Sequence, residues 1–336
     1  MKVLLNCHLP FMFAHGGMQT QIEQTKSALE KAGVTVEYLR WWDASQTGNI
    51  LHHFGRIPVS HLQLAQNKGL KVIIAELLTG QGSRPPWKQN LHKLAVRTIS
   101  TFIPRYISSS FNWESYRLAD GCIALTDWEA YLMRQVFGAP HEKVFVVPNG
   151  VELPFFENHD VERGPWLVCS ATITERKRVL ELAQAAVLAQ TPLWIIGKPY
   201  AESDVYAQRF ISLARKNPQV LKYQGAIYDR EVLSRIYQEA RGFVLLSTME
   251  SLSLSALEAA ACGCPLLLSD LPWAHSAFGK NASYCPVIKS SGVTAGFLKK
   301  FYDGCPLLPA PPRPKTWIEI GEELKAVYET LLKTSR

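Results

Sequence analysis

The chain has 336 residues, 47% hydrophobic and 19% charged, enough apolar material for cores in two ordinary domains and too little polarity for extended disorder. A net charge of +7 suits nucleic acid, an anionic membrane surface or phosphorylated small molecules, but the basic residues are spread along the chain and no aromatic–basic repeat of an RNA module occurs, so nucleic acid is set aside. Seven scattered cysteines, with no CxxC pair or His/Cys cluster, argue against a metal centre and a disulfide framework and for a reducing, cytoplasmic setting.

The first residues, MKVLLNCHLPFMFAHGG, are broken by Asn6, His8 and Pro10 and read as a strand over Lys2–Asn6 rather than a signal peptide. No run reaches the roughly 18 apolar residues of a membrane span, so none is expected. Gly16 and Gly17 open a loop, helical spacing runs from Met18 to Ala32, and Gly33 closes that helix. Strands follow at 34–39, 49–54 and 71–75. Over 84–116, Trp87, Leu91, Leu94, Ala95, Ile99, Phe102 and Ile103 fall near helical spacing, interleaved with Lys88, Lys93, Arg97 and Arg105. Two readings stand: a helix packed on its own domain, or a basic amphipathic surface resting on the inner face of a membrane or on a lipid-linked acceptor.

A strand at 121–125, a helix at 127–137 and a strand at 143–147 lead to Pro148-Asn149-Gly150, and the charged stretch 151–164 reads as a linker. The alternation then restarts: strands at 166–170, 193–196, 220–223 and 242–247, helices at 179–189, 203–216 and 231–241. A proline-rich stretch at 306–314 precedes a final amphipathic helix at 317–332.

The segment from Gly242, GFVLLSTMESLSLSALEAAACGCPLLLSD, reads strand, loop, helix, a stop at Gly263, Pro265 and another strand. The helix should begin near Ser253, so its free N–H groups and positive dipole end form an anion site suited to a diphosphate. Glu250 stands in the loop before it and Glu258 one to two turns inside, and helical side chains lean toward the N-terminus. One carboxylate then reaches a sugar and the other a ribose, with phosphates between.

Glu250-x7-Glu258, followed by Ala259-Ala260-Ala261-Cys262-Gly263-Cys264-Pro265, resembles the signature of the family 4 retaining glycosyltransferases. The other landmarks keep the family's order over nearly the whole chain: Gly16-Gly17, Ala119-Asp120 through Thr126, Val147-Pro148-Asn149-Gly150-Val151, Lys177, Gly197, and Gly225 before Ala226-Ile227. The resemblance implies an α/β chain of the GT-B type, two Rossmann-like parallel-sheet domains facing each other across a cleft. Residues 1–155 would form the acceptor domain, with helix 317–333 packing back on it, and 164–310 the donor domain.

It also implies roles. Glu258 would bind the ribose hydroxyls and Glu250 the donor sugar. Backbone amides around Ser251, Leu252, Ser253 and Leu254 would hold the distal phosphate, with Gly197 beside it and Ile227 against the base. Lys177 would neutralise the departing diphosphate in place of a metal, so no cofactor is expected. Gly16 and Gly17 would approach the phosphates or acceptor closely.

The sequence departs from the family at three places. An arginine six residues before the lysine is replaced by Ala171, leaving Arg176 or Arg178 to supply the charge. A glycine-rich stretch is replaced by Ser251-Leu252-Ser253, which narrows the donor-sugar space. The histidine after strand four is replaced by Glu76 or Leu77, so His15, His52 or His53 is the histidine available to the cleft, and Glu76 is a candidate acceptor-side group. The expectation is a retaining transfer of sugar from a nucleoside-diphosphate sugar to a glycan, lipid-linked or polysaccharide-precursor hydroxyl. The alternatives are a degenerate nucleotide-binding partner of another glycosyltransferase, or a nucleotide-sugar epimerase on the same architecture.

Overall fold

The computed structural model describes residues 1–7, 16–102, 111–157, 161–287 and 290–333. The chain divides into Met1–Asn149 with Trp317–Arg336, and Gly150–Thr316.

The first unit is a six-stranded parallel sheet of β1 (Lys2–Cys7), β2 (Thr35–Tyr38), β3 (Ile50–Phe54), β4 (Lys71–Ile74), β5 (Gly121–Ala124) and β6 (Val144–Val146), in the order β2-β1-β3-β4-β5-β6. A parallel strand covered on both faces needs an uninterrupted apolar run, and β3 and β5 are buried at every position. That run includes His52, whose Nδ1 is 2.6 Å from the Tyr328 hydroxyl and whose ring stacks on Phe54 at 4.5 Å. Burial, with His53 beside it, pushes its pKa down to about 3. His53 is equally buried, with Nδ1 3.0 Å from Asn6 Nδ2. The sequence reading offered His52 as a cleft group; the structure makes it a neutral core residue.

Tyr328 belongs to the terminal helix Trp317–Lys333, which packs along the helix Gly17–Lys31. At their crossing a Cβ on Gly321 would lie 2.4 Å from the Ala28 carbonyl oxygen, so only glycine permits this approach. Among the family landmarks, Asp120 accepts from the Val72 N–H (2.9 Å), Gln66 (2.9 Å) and Lys71 (3.0 Å), and Thr126 caps the helix Asp127–Gln135. These two residues join elements of the sheet. In the helix Pro86–Phe102, Gln89 and Val96 are buried, while Trp87, Leu91 and Leu94 are 60%, 58% and 63% exposed; Ile103 and Arg105 lie outside the described residues.

The second unit holds β7 (Leu167–Ser170), β8 (Leu193–Ile196), β9 (Leu221–Tyr223), β10 (Gly242–Leu245), β11 (Leu266–Ser269) and β12 (Ser283–Cys285), all parallel, in the order β12-β11-β10-β7-β8-β9. This is the doubly wound order: successive connections step outward from β7 in one direction and from β10 in the other, leaving a switch point between those two strands. The stretch read as a linker is instead built into this unit. Leu153–Phe156 forms a 3-10 turn with Phe155 fully buried, and the Ser234 hydroxyl donates to the Pro154 carbonyl at 2.7 Å. The chain leaves and re-enters at neighbouring points, with Val151 bridging to Thr316.

Among the described elements, helices Val59–Asn67, Thr79–Gly82, Glu114–Leu118, Pro272–Phe278 and Ser291–Gly304 and strand β12 lack a counterpart in the sequence reading. The first, VSHLQLAQN, buries only Leu62 and Ala65, too narrow a stripe to stand out as a period. No described helix is long and apolar enough to cross a membrane, and all seven cysteines are free thiols.

Candidate functional site

The carboxyl ends of β7 and β10 flank the switch point, where open α/β sheets bind ligands. After β7 the chain does not run straight into its helix. Thr174 caps a 3-10 turn, Glu175–Lys177, by accepting from the Lys177 N–H, and Arg178 takes the left-handed conformation at φ 52° before the helix Val179–Ala189 begins. A left-handed non-glycine residue costs on the order of 1–2 kcal/mol, which the surrounding contacts must outweigh. Two bonds tie this turn to the loop after β10: the Thr248 N–H donates to the Arg176 carbonyl at 2.8 Å, and its hydroxyl does so at 3.3 Å.

That stitching brings three charges together. Lys177 Nζ donates to Glu250 Oε1, and Arg176 Nη1 donates to the same oxygen at 3.1 Å and to the Met249 carbonyl at 3.1 Å. Glu250 is 8% exposed; the Lys177 side chain is nearly buried and that of Arg176 half exposed. Two cations around one carboxylate leave a net positive charge. Of the two arginines proposed to replace the family's missing one, Arg176 is the one at Glu250. Arg178 is buried, and its charge is felt at Cys285, whose thiol burial pushes up to about 11 against the arginine's pull.

Four residues after Glu250 the helix Leu254–Ala261 begins, with Ser253 as its cap accepting from the Ala256 N–H at 3.3 Å. Ser251, Leu252 and Ser253 are all buried. The side chains that stand where the family has glycines therefore occupy interior space next to the helix end.

Glu258 lies in the second turn of that helix and is buried. Arg230, at the start of the helix Arg230–Glu239, pairs with Glu258 Oε1 and, through Nε, with Glu152 Oε2 at 2.6 Å; its guanidinium sits 4.6 Å from the Phe155 ring centroid. Burial pushes the Glu258 carboxyl above the usual range, and Arg230 pulls it back. The sequence reading contained neither Arg230 nor Glu152. The available signal was Glu152, one residue past the Pro148–Val151 landmark; nothing local marked Arg230.

The turns after β7, β8 and β9 lie side by side. Ala171 N–H donates to the Ile196 carbonyl at 3.0 Å and Gly197 N–H to the Gly225 carbonyl at 2.9 Å. Gly197 has φ 145°, and a Cβ there would stand 2.0 Å from the Ala171 carbonyl oxygen. Ile227 follows this ridge, half-buried.

In the first unit Gly16, φ 145°, precedes the helix Gly17–Lys31, Gly17 is exposed, and among the described residues no side chain caps the helix. Glu76 is fully engaged: Arg56 donates to both of its oxygens, at 2.9 and 3.0 Å, and the Tyr116 hydroxyl donates to Oε2. His15 lies outside the described residues. Among the described residues no group of three or more His, Cys, Asp or Glu could hold a metal ion.

Residues 153–288 match the family described as glycosyl transferases group 1. The chain is 30% identical over 173 residues to the D-inositol 3-phosphate glycosyltransferase of Actinosynnema mirum, 44% of this chain but only 40% of that protein's length. Among solved structures it resembles a sucrose-phosphate synthase from Thermosynechococcus elongatus (TM-score 0.69, 16% identity, all of both chains) and Anabaena Alr3699/HepE in complex with UDP and glucose (TM-score 0.65, 13% identity, 99% of both chains). The fold is the two-domain, Rossmann-like GT-B fold, as the sequence implied.

Proposed function

We propose that the chain transfers a sugar, with retention, from a nucleoside-diphosphate sugar to a hydroxyl on a glycan, lipid-linked or polysaccharide-precursor acceptor. The observation that carries this is the convergence of Lys177 and Arg176 on Glu250 at the β7/β10 switch point, beside the start of a helix. In the reaction the bond from the anomeric carbon to the diphosphate oxygen breaks and the acceptor oxygen takes its place. Negative charge then builds on the diphosphate. Lys177 and Arg176, with the Ser253 and Leu254 amides, stabilise it without a divalent ion. Glu250 holds the donor sugar and Glu258 the ribose hydroxyls, while Arg178, Gly197 and Ile227 line the nucleotide side. Gly16 and Gly17 are assigned to the acceptor side, with His15 as the catalytic histidine; Glu76 could join them only by giving up its bonds to Arg56 and Tyr116. Support comes from the family match over 153–288 and from the neighbour solved with UDP and glucose.

The helix Pro86–Phe102 supports peripheral contact with the inner face of the cytoplasmic membrane. Trp87, Leu91 and Leu94 share one exposed stripe, and Lys88 Nζ lies 5.2 Å from the Trp87 ring centroid. Flotation with phosphatidylglycerol vesicles, lost when Leu91 and Leu94 become Ser, would test it.

A second reading, a nucleotide-binding partner without turnover, is favoured by Ala171 and by the buried side chains of Ser251 and Leu252. A thermal-shift screen against UDP, GDP, ADP and their sugars, followed by turnover assays, separates the two. Stabilisation with transfer supports the enzyme, stabilisation without turnover the partner, and no stabilisation refutes both.

A further inference from the structure

The loop that follows β2 holds two tryptophans in solvent. Trp41 is 85% and Trp42 73% exposed, their ring centroids are 5.9 Å apart and their planes stand at 69°. Each indole therefore keeps a flat face that its neighbour does not cover. Two adjacent indoles left open to water present apolar surface that a ligand could cover.

The loop is braced. Arg40 grips Asp43 Oδ2 through Nε (3.1 Å) and Nη2 (2.9 Å) and Glu37 through Nη1 (2.9 Å). Gln46 donates to Glu37 at 2.9 Å and to the Tyr38 carbonyl at 3.0 Å, and accepts from the Arg40 N–H at 2.8 Å. Asp43 Oδ1 accepts from the Ser45 N–H (3.0 Å) and hydroxyl (2.6 Å), and Lys2 pairs with Glu37 at 2.7 Å. A platform held this way loses little freedom when a ligand lands on it. It sits at the ligand end of its sheet: the Leu39 N–H donates to the Leu5 carbonyl at 2.8 Å, one strand away from the end of β1.

Charge selects the occupant. Lys2 and Arg40 are matched by Glu37 and Asp43, so the platform is neutral overall. Hydrogen bonds from Lys2 and Gln46 hold the Glu37 carboxyl down, to about 2, and bonds from Ser45 and Arg40 hold Asp43 down, so the balance persists across physiological pH. An anionic lipid or a polyanion finds no excess of cations here. A sugar ring offers what the open indole faces lack: a C–H-rich face for the indole quadrupole.

We propose that Trp41 and Trp42 form a stacking subsite for a neutral saccharide, which, on the transferase reading above, is part of the acceptor. The test is an array of neutral gluco-, galacto- and manno-oligosaccharides probed with the full chain, with each hit titrated calorimetrically. Trp41→Ala and Trp42→Ala should each weaken the hit by roughly tenfold or more, the loss expected for an aromatic anchor, and Trp42→Phe should restore most of it. A silent array, or a Trp41→Ala/Trp42→Ala double variant that binds as the parent does, overturns the proposal. So does a double variant that keeps saccharide binding but loses adsorption to phosphatidylcholine vesicles, which would make the pair a lipid contact. Saccharide binding by a protein that no nucleotide stabilises would keep the platform and sink the transferase reading; the reverse pattern sinks the platform alone.

Discussion

Lys177 and Glu250 are joined by a hydrogen bond although 73 residues separate them, and the carboxylate oxygen they share also accepts from Arg176. The sequence assigned the lysine to the diphosphate and the glutamate to the sugar, as separate contacts. In this structure the two ions hold each other. On the proposed function, a diphosphate entering beside them would exchange one anion for another around Lys177 and leave Glu250 to sugar hydroxyls.

Substitution of Lys177 tests that exchange. Lys177→Ala should lower kcat by roughly 10²–10³, the usual loss when one preorganised charge is removed from a developing anion. Arg176→Ala should cost less, because its side chain is 40% exposed against 12% for Lys177 and water screens it more. Steady-state kinetics on both variants decide the order; an equal or larger loss at Arg176 would reverse the assignment.

The same charges should make a divalent ion unnecessary. Turnover is expected to be unchanged by EDTA and by added Mg²⁺. Activity lost in EDTA and restored by Mg²⁺ would show that Lys177 and Arg176 do not suffice.

Arg230 should matter for stability before it matters for rate. Removing it leaves Glu258 buried without the partner that offsets its desolvation. Loss of one member of a buried pair costs about 3–5 kcal/mol, and the 32% exposure of Arg230 lowers the expectation to roughly 2–3 kcal/mol. Arg230→Ala should therefore unfold at lower urea, and the Arg230→Ala/Glu258→Gln double variant should recover part of the loss. Failure of the double variant to recover would mean that the Glu258 charge is not the cause.

His52 predicts a pH dependence with a definite sign. Its folded pKa, about 3, lies below the ordinary value of 6.5, so the unfolded chain binds the extra proton first. The neutral ring therefore stabilises fully above pH 6.5, and that contribution falls away as pH drops from 6.5 toward 3. At pH 5 the loss is about 2 kcal/mol. Urea midpoints at pH 7.5 and 5 should separate in the parent and converge in His52→Gln.

Gly321→Ala sets helix propensity against sterics. Alanine in a helix interior gains about 1 kcal/mol over glycine. Here its Cβ would stand 2.4 Å from the Ala28 carbonyl oxygen, a backbone atom that moves only if the two helices separate. Thermal unfolding should show a net loss of stability; a rise in Tm would mean that the terminal helix shifts without cost.

Much of the fold is legible in order along the chain. The doubly covered strands are unbroken apolar runs, as in Gly242–Leu245 and Leu266–Ser269, and the helix at Leu254–Ala261 announces its cap at Ser253 and its stop at Gly263. Such signals are local: each depends on a few neighbouring residues and on a period. The 151–164 stretch misleads because its charges suggest a linker, while Phe155, one residue within it, is fully buried.

By itself the sequence determined the alternation of strands and helices, the place of the Glu250–Glu258 segment at a helix start and the identity of the nearby charges. These follow from backbone preference and hydrophobic period, which act over a turn or two. Only the tertiary structure decided which charges meet: Arg176 rather than Arg178 at Glu250, Arg230 between Glu152 and Glu258, and His52 against Tyr328. Those partners lie tens to hundreds of residues apart, and what joins them is the order in which parallel strands are laid into a sheet, which no local pattern records.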